Sequence, residues 1–187
     1  MLDEDRSATK QSGRLYTSKV VGFAVSEFKI LIVCTGNICR SPTAEGVLRH
    51  KLREAGLDGR VAVDSAGTID FHTGDPPDPR AILQASRRGY DLSGLRARQI
   101  RPGDFESFDL ILCMDRGHHG ELARLCPEGL REGLRERLRL FLDFAPGLGL
   151  EEVPDPYYGG LEDYDLALDL IEPGVAGLIE ALERDFL

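Results

Sequence analysis

Residues 28–42 read FKILIVCTGNICRSP, and the character of the chain changes twice within that stretch. Positions 29–33 form a short, branched, apolar run without polar alternation, the pattern of a strand buried on both faces of a parallel sheet. From Cys34 to Ser41 the chain turns small and polar. Pro42 then suits the first turn of a helix, where the amide that proline lacks would have no partner anyway. Ala44, Val47, Leu48 and Leu52 give that helix an apolar stripe, and Gly56 ends it. The opening is therefore strand, tight loop, helix. In open parallel sheets ligands bind beyond the carboxyl ends of the strands, and Cys34 stands at such an end.

Working outward, 61–63 (VAV) reads as a second strand, followed by a long loop through Pro76, Pro77 and Pro79. Positions 81–88 read as a helix closed by Gly89, and 108–114 (FDLILCM) as a third buried strand. A helix is expected near 121–125. The alternation at the start of 138–142 favours a fourth strand. A last helical pattern runs over 161–182, with Pro173 placed to kink or divide it. Strands alternating with helices imply a parallel sheet covered on both faces, hence an α/β fold of three layers. Residues 1–27 are polar and lack clear periodicity; they read as a flexible N-terminal extension to one domain spanning 28–187.

The chain has 187 residues, 42% of them hydrophobic, and a formal net charge of −9. That supports a sizeable core and argues against nucleic acid as a partner, since a phosphate backbone repels such a surface. A small cationic pocket for one anion remains compatible. Cys34, Cys39, Cys113 and Cys126 match neither a secreted disulfide framework nor a zinc-type pair, so reduced thiols, no metal and a cytoplasmic location are expected. No run approaches the roughly 18 apolar residues of a membrane span, and no signal peptide is evident.

The chemistry concentrates in 34–41. Phosphoryl transfer requires a nucleophile, donors for the phosphate oxygens, positive charge and a proton for the leaving group. A short loop ending at a helix N-terminus offers converging amides and the positive end of the helix dipole. Gly36 and Asn37 tolerate the left-handed conformations that turn amides inward. Arg40 offers a planar fork for two phosphate oxygens. The same field favours a thiolate at Cys34, and the Ser41 hydroxyl is placed to donate to it. Taken singly, such residues are ordinary packing and turn residues. A Cys, five intervening residues, Arg and Ser between a buried strand and a helix form a site.

Here the sequence resembles the low-molecular-weight protein tyrosine phosphatases, from Phe28 to near the C-terminus. The stretch VCTGNICRSPTAEGVL looks like the family's phosphate loop and helix; DSAGT at 64–68, PPDPR at 76–80, ARQ at 97–99, CMD at 113–115 and DPYY at 155–158 resemble its further landmarks in order. The resemblance implies a flavodoxin-like fold with a four-stranded parallel sheet, no cofactor, and hydrolysis of phosphotyrosine through a phosphocysteine. Cys34 would be the nucleophile, Arg40 the phosphate ligand and Asp155 the general acid and base. Beside a bound dianion, like-charge repulsion and partial burial both favour a protonated carboxyl at Asp155, and Pro154 and Pro156 stiffen its loop. Thr35, Gly36, Asn37, Ile38, Cys39 and Ser41 would line the loop, and Tyr157 and Tyr158 would wall the cleft against the substrate ring. Asn37, Ser41 and Ser65 correspond to polar residues that brace the loop.

Several finer expectations come with the resemblance. Relatives directed at phosphoarginine look to have Thr at the position of Ile38 and to lack the tyrosine pair, so Ile38, Tyr157 and Tyr158 favour phosphotyrosine. Cys39 is expected to capture an oxidised Cys34 as a disulfide, protecting it reversibly. The chain departs from the family at Leu95, where a bracing His is common, and at Gly117-His118. His118 and His119 read as solvated residues at a helix start, and His50 and His72 carry no motif signal. The expected partner is a phosphotyrosine-containing protein, by analogy a bacterial tyrosine kinase, with phosphate and other oxyanions as inhibitors. An arsenate reductase would need two further cysteines close together in the later half. A binding-only scaffold would not need both a nucleophile and an acid.

Overall fold

The computed structural model describes residues 27–185. The expected N-terminal extension thus lies outside the described residues, apart from Glu27. Four strands, β1 (Phe28–Cys34), β2 (Val61–Gly67), β3 (Leu110–Cys113) and β4 (Leu138–Leu140), form one parallel sheet in the order β2-β1-β3-β4. Helices α1 (Arg40–Glu54), α2 (Pro79–Arg87), α3 (Asp104–Ser107), α4 (Arg116–Leu125), α5 (Arg131–Arg137) and α6 (Leu161–Asp185) flank it. This is the single-domain, flavodoxin-like α/β architecture.

The apolar run of β1 is explained by its central place. Ile30 and Ile32 point into a core shared with α1, α2 and α6. Leu31 and Val33 point into a second core with Phe105, Ile111, Leu122 and Leu134. All four are fully buried, so neither face of the strand can be polar, and each contributes about 1.5–3 kcal/mol. The chain passes from β1 to β2 on one side and reaches β3 on the other, so the strand order reverses beside β1. The crevice at such a reversal is where these sheets place ligands. It gathers the residues that follow Cys34 and Cys113, while Phe28 enters at the opposite end of β1.

β2 extends beyond the expected 61–63 to Gly67 because its polar second half pairs in register with β1, Leu31 opposite Asp64 and Cys34 opposite Gly67. α6 continues through Pro173 without dividing. The next residues explain its hold: a Cβ at Gly174 would meet the Phe141 ring at 2.5 Å, and one at Gly177 the Phe144 carbonyl oxygen at 1.8 Å. Tertiary contact at these glycines offsets the backbone hydrogen bond that proline removes. No helix among the described residues is long and apolar enough to cross a membrane.

Candidate active site

The loop after β1 is held from behind by a chain of hydrogen bonds. Cys34 Sγ lies 3.0 Å from Ser41 Oγ. Asn37 takes φ 56°, and is the one non-glycine with positive φ among the described residues. Asparagine tolerates that conformation, and here its side chain is fully used. Nδ2 donates to Ser41 Oγ at 2.9 Å and Ser65 Oγ at 2.8 Å, and Oδ1 accepts from the Arg98 amide at 2.9 Å. Ser65 in turn donates to Glu45 Oε2 at 2.5 Å, and Arg49 pairs with Glu45 Oε1 at 2.6 Å. Burial pushes the Glu45 carboxyl up, opposed by the Ser65 hydrogen bond. Asn37, Ser41 and Ser65 thus sit behind the loop as braces rather than in the cleft. Leu95 packs at the edge of the core and takes no part in this chain.

Gly36 does not adopt the expected left-handed conformation. Its lack of a side chain serves close approach instead, since a Cβ there would meet His72 Cδ2 at 3.0 Å. Gly67 is tighter still: a Cβ would stand 2.6 Å from the Thr35 carbonyl oxygen. The end of β2 therefore butts against the loop, and the amides of Thr68 and Ile69 donate to the carbonyls of Cys34 and Thr35. On the other side, α1 begins with no acidic residue in its first turn and no side-chain cap at Cys39. Its positive end is left for an anion.

Cys34 is 2% exposed, yet it forms the floor of a cleft of about 290 Å³ that also presents Thr35, Gly36, Ile38, Cys39, Arg40 and Asp155. Arg40, 3% exposed, donates through Nη1 to Asp115 Oδ2 at 2.9 Å and the Val153 carbonyl at 3.2 Å, and through Nη2 to Asp155 Oδ2 at 2.9 Å. Its Nε is buried without a partner. A buried guanidinium with an unused donor is an incomplete arrangement that an oxyanion in the cleft would complete. Burial opposes ionisation of Asp115, but hydrogen bonds from His118 and Arg40 outweigh it and hold the carboxyl well below its usual range.

His118 is 4% exposed and corrects the expectation of a solvated helix start. Its Nε2 lies 2.8 Å from Thr35 Oγ1, and its Nδ1 2.9 Å from Asp115 Oδ1, within ion-pair distance though not aligned as a hydrogen bond. Asp115 caps α4 by accepting the His118 amide. His119 is only half-buried.

The rim is aromatic. Tyr157 and Tyr158 line it together with residues that sequence reasoning missed: Ile69, Phe71 and His72. Phe71 is 80% and Tyr158 94% exposed. An aromatic residue inside an otherwise polar, proline-rich loop was the available signal for Phe71. The acid loop is tied down at its two ends, where Val153 N donates to Met114 O at 2.9 Å and Arg80 Nη1 to Gly159 O at 2.9 Å. Arg80 is itself forked onto Asp78 and lies over the Tyr164 ring at 4.7 Å. The Tyr164 hydroxyl sits 3.2 Å from Cys39 Sγ. Burial pushes the Cys39 thiol up to about 12 despite that hydrogen bond.

The cleft at the strand-order reversal of this α/β sheet thus gathers a cysteine and an arginine from one loop and a carboxylate from the segment facing it. The family of low molecular weight phosphotyrosine protein phosphatases matches residues 29–186, and the chain belongs to it. A low molecular weight protein-tyrosine-phosphatase of Streptomyces coelicolor is 41% identical, over 84% of this chain and 94% of the relative. The crystal structure of a protein tyrosine phosphatase from Entamoeba histolytica with Hepes in the active site superposes with TM-score 0.80 at 36% identity, covering 86% of this chain and all of the other. Vibrio vulnificus Wzb in complex with benzylphosphonate gives TM-score 0.72 at 32% identity, over 84% and 100% of the two chains. The chain is thus a hydrolase acting on phosphotyrosine.

Proposed function

We propose that the chain dephosphorylates tyrosine in proteins by two successive transfers at Cys34. The observation that carries this is the placing of a cysteine sulfur, 3.0 Å from a serine hydroxyl, at the uncapped start of α1 in one cleft with Arg40 and Asp155. In the first step the Cys34 thiolate attacks phosphorus, the bond from phosphorus to the aryl oxygen breaks, and Asp155 gives its proton to the departing phenolate. In the second, water attacks phosphorus, Asp155 takes the water proton, and the phosphorus–sulfur bond breaks. Ser41 stabilises the returning thiolate. The loop amides and Arg40 hold the equatorial oxygens throughout. Before the first step the phosphoryl group must draw Arg40 Nη2 from Asp155, which frees the carboxyl to face the leaving group.

The aromatic rim supports an aryl substrate, and so does the benzylphosphonate bound by the Vibrio relative, a phenyl ring one carbon from a phosphonate. Hepes, a sulfonate, in the Entamoeba active site supports inhibition by oxyanions. Cys113 and Cys126 are buried in the second core, apart from Cys34 and Cys39 in the first, which does not favour the thiol relay that arsenate reduction needs. We place the enzyme in the cytoplasm, acting on a phosphotyrosine protein such as a bacterial tyrosine kinase. After oxidation of Cys34 to a sulfenic acid, Cys39 would condense with it, releasing water and forming a disulfide. Mild peroxide followed by mass spectrometry should find a Cys34–Cys39 link; overoxidised Cys34 without the link would remove this branch.

The test of the main reading is turnover of phosphotyrosine, phosphoserine and phosphoarginine peptides at equal concentration. Phosphotyrosine should be strongly preferred, Cys34→Ser should lose activity by about 10⁴-fold or more, and Asp155→Ala should accumulate phosphoenzyme. Unchanged turnover in Cys34→Ser would sink the mechanism.

A further inference from the structure

We propose that His118 is a positioning residue for phosphate binding, acting through the Thr35 hydroxyl on the Arg40 guanidinium. The inference rests on the phosphatase reading of the cleft. Four side chains close a ring at the strand-order reversal. Thr35 Oγ1 meets His118 Nε2 at 2.8 Å, His118 Nδ1 approaches Asp115 Oδ1 at 2.9 Å, Asp115 Oδ2 accepts from Arg40 Nη1 at 2.9 Å, and Arg40 Nη2 reaches back to Thr35 Oγ1 at 3.5 Å. His118 is buried in the first turn of α4, where an apolar side chain would fill the same space without the cost of desolvating two ring nitrogens. The ionised Asp115 carboxylate beside Nδ1 favours the ring proton on that nitrogen. Nε2 is left bare to accept the Thr35 hydroxyl proton, and the Thr35 lone pairs then face Arg40 and the cleft.

The arrangement matters when the reaction starts. At rest Arg40 Nη2 is held chiefly by Asp155 at 2.9 Å. Once Asp155 turns to the leaving group, Thr35 is the remaining protein side chain on that arm of the fork. A hydroxyl pinned by His118 keeps the fork aimed at the phosphate oxygens; one free to rotate does not.

Calorimetric titration of inorganic phosphate, alongside steady-state kinetics on p-nitrophenyl phosphate, tests this in the wild type, His118→Leu, His118→Gln, Thr35→Val and the His118→Leu/Thr35→Val double variant. His118→Leu and Thr35→Val should each weaken phosphate binding and raise KM by about tenfold, the order of one hydrogen bond. The double variant should lose no more than the worse single one, and His118→Gln, whose amide reaches Thr35, should return to within about threefold of wild type. KM and phosphate affinity do not depend on the fraction of folded enzyme, so a lower melting temperature with both unchanged would assign His118 a merely structural role and overturn the proposal. Multiplying effects in the double variant would overturn it too. Should His118→Leu fail to fold, unaltered phosphate affinity in Thr35→Val decides against it. A wild type that binds phosphate but turns nothing over would sink the phosphatase reading, while the titrations still judge the ring.

Discussion

The two walls of the cleft are built in opposite ways. The phosphate loop is pinned by the ends of two strands, by a fully used Asn37 amide and by a glycine contact too close for any side chain. The facing wall, from 153 to 160 together with 69–72, holds Phe71 and Tyr158 out in solvent with Tyr157 and His72 more covered, and is anchored mainly at its two ends. Arg40 reaches from the first wall to the second, donating to Asp155 and the Val153 carbonyl, and is held on its other side by Asp115 at the head of α4. Under the proposed mechanism the first wall grips the phosphoryl group, which is the same in every substrate, so it gains from rigidity. The wall that meets the rest of a phosphoprotein gains from reach and the freedom to release Asp155.

Substitutions on the two walls should therefore fail differently. Under the proposed mechanism the largest effect belongs to the Asp155 carboxyl: Asp155→Asn should lower kcat on phosphotyrosine by about 10²–10⁴-fold while leaving phosphate affinity no weaker, since it replaces the charged competitor for Arg40 with a neutral one. A wild-type kcat in that variant would end the assignment of Asp155 as acid. Gly67→Ala breaks the rigid wall without touching its chemistry. The added carbon must displace the Thr35 carbonyl, so activity should fall by about 10²-fold with a lower melting temperature. Normal activity would show that the loop yields more than the contact allows. Arg80→Lys removes the fork that joins Asp78 to the Gly159 carbonyl. It should reduce kcat about tenfold, with KM shifted less, because the acid loop loses an anchor rather than a ligand.

Smaller effects separate stability from contact. Asp115 ionises more readily folded than unfolded, so its contribution to stability is present above the unfolded pKa of about 3.9 and is lost as pH falls below it. Melting temperatures measured from pH 6 downward should fall more steeply for wild type than for Asp115→Asn, and parallel curves would deny Asp115 that role. Tyr158→Ala should change stability by no more than about 0.5 kcal/mol, while raising KM for phosphotyrosine peptides a few-fold and leaving KM for p-nitrophenyl phosphate nearly unchanged. Equal shifts for peptide and small substrate would place Tyr158 deeper than its exposure indicates.

The same division governs what could be read in advance. The rigid wall is contiguous in sequence, with strand, nucleophile, turn, arginine and helix start falling between 28 and 42, so its chemistry and local fold announce each other. The opposite wall is assembled from segments far apart, and Phe71 and His72 reach it only because β2 and the long loop after it fold over the phosphate loop. The burial of His118 escaped for a related reason: nothing local to α4 distinguishes a ring turned toward Thr35 from one in water. α3 and α5 were missed because each buries a single residue, Phe105 and Leu134, too few to make a stripe. The second half of β2, DSAG, has poor strand character of its own and owes its extended form to the partner strand.

The direction of β1 has an architectural consequence. A seven-residue strand separates Phe28 from Cys34, about 20 Å at the usual rise. Whatever is joined ahead of the domain is therefore attached at the pole opposite the cleft.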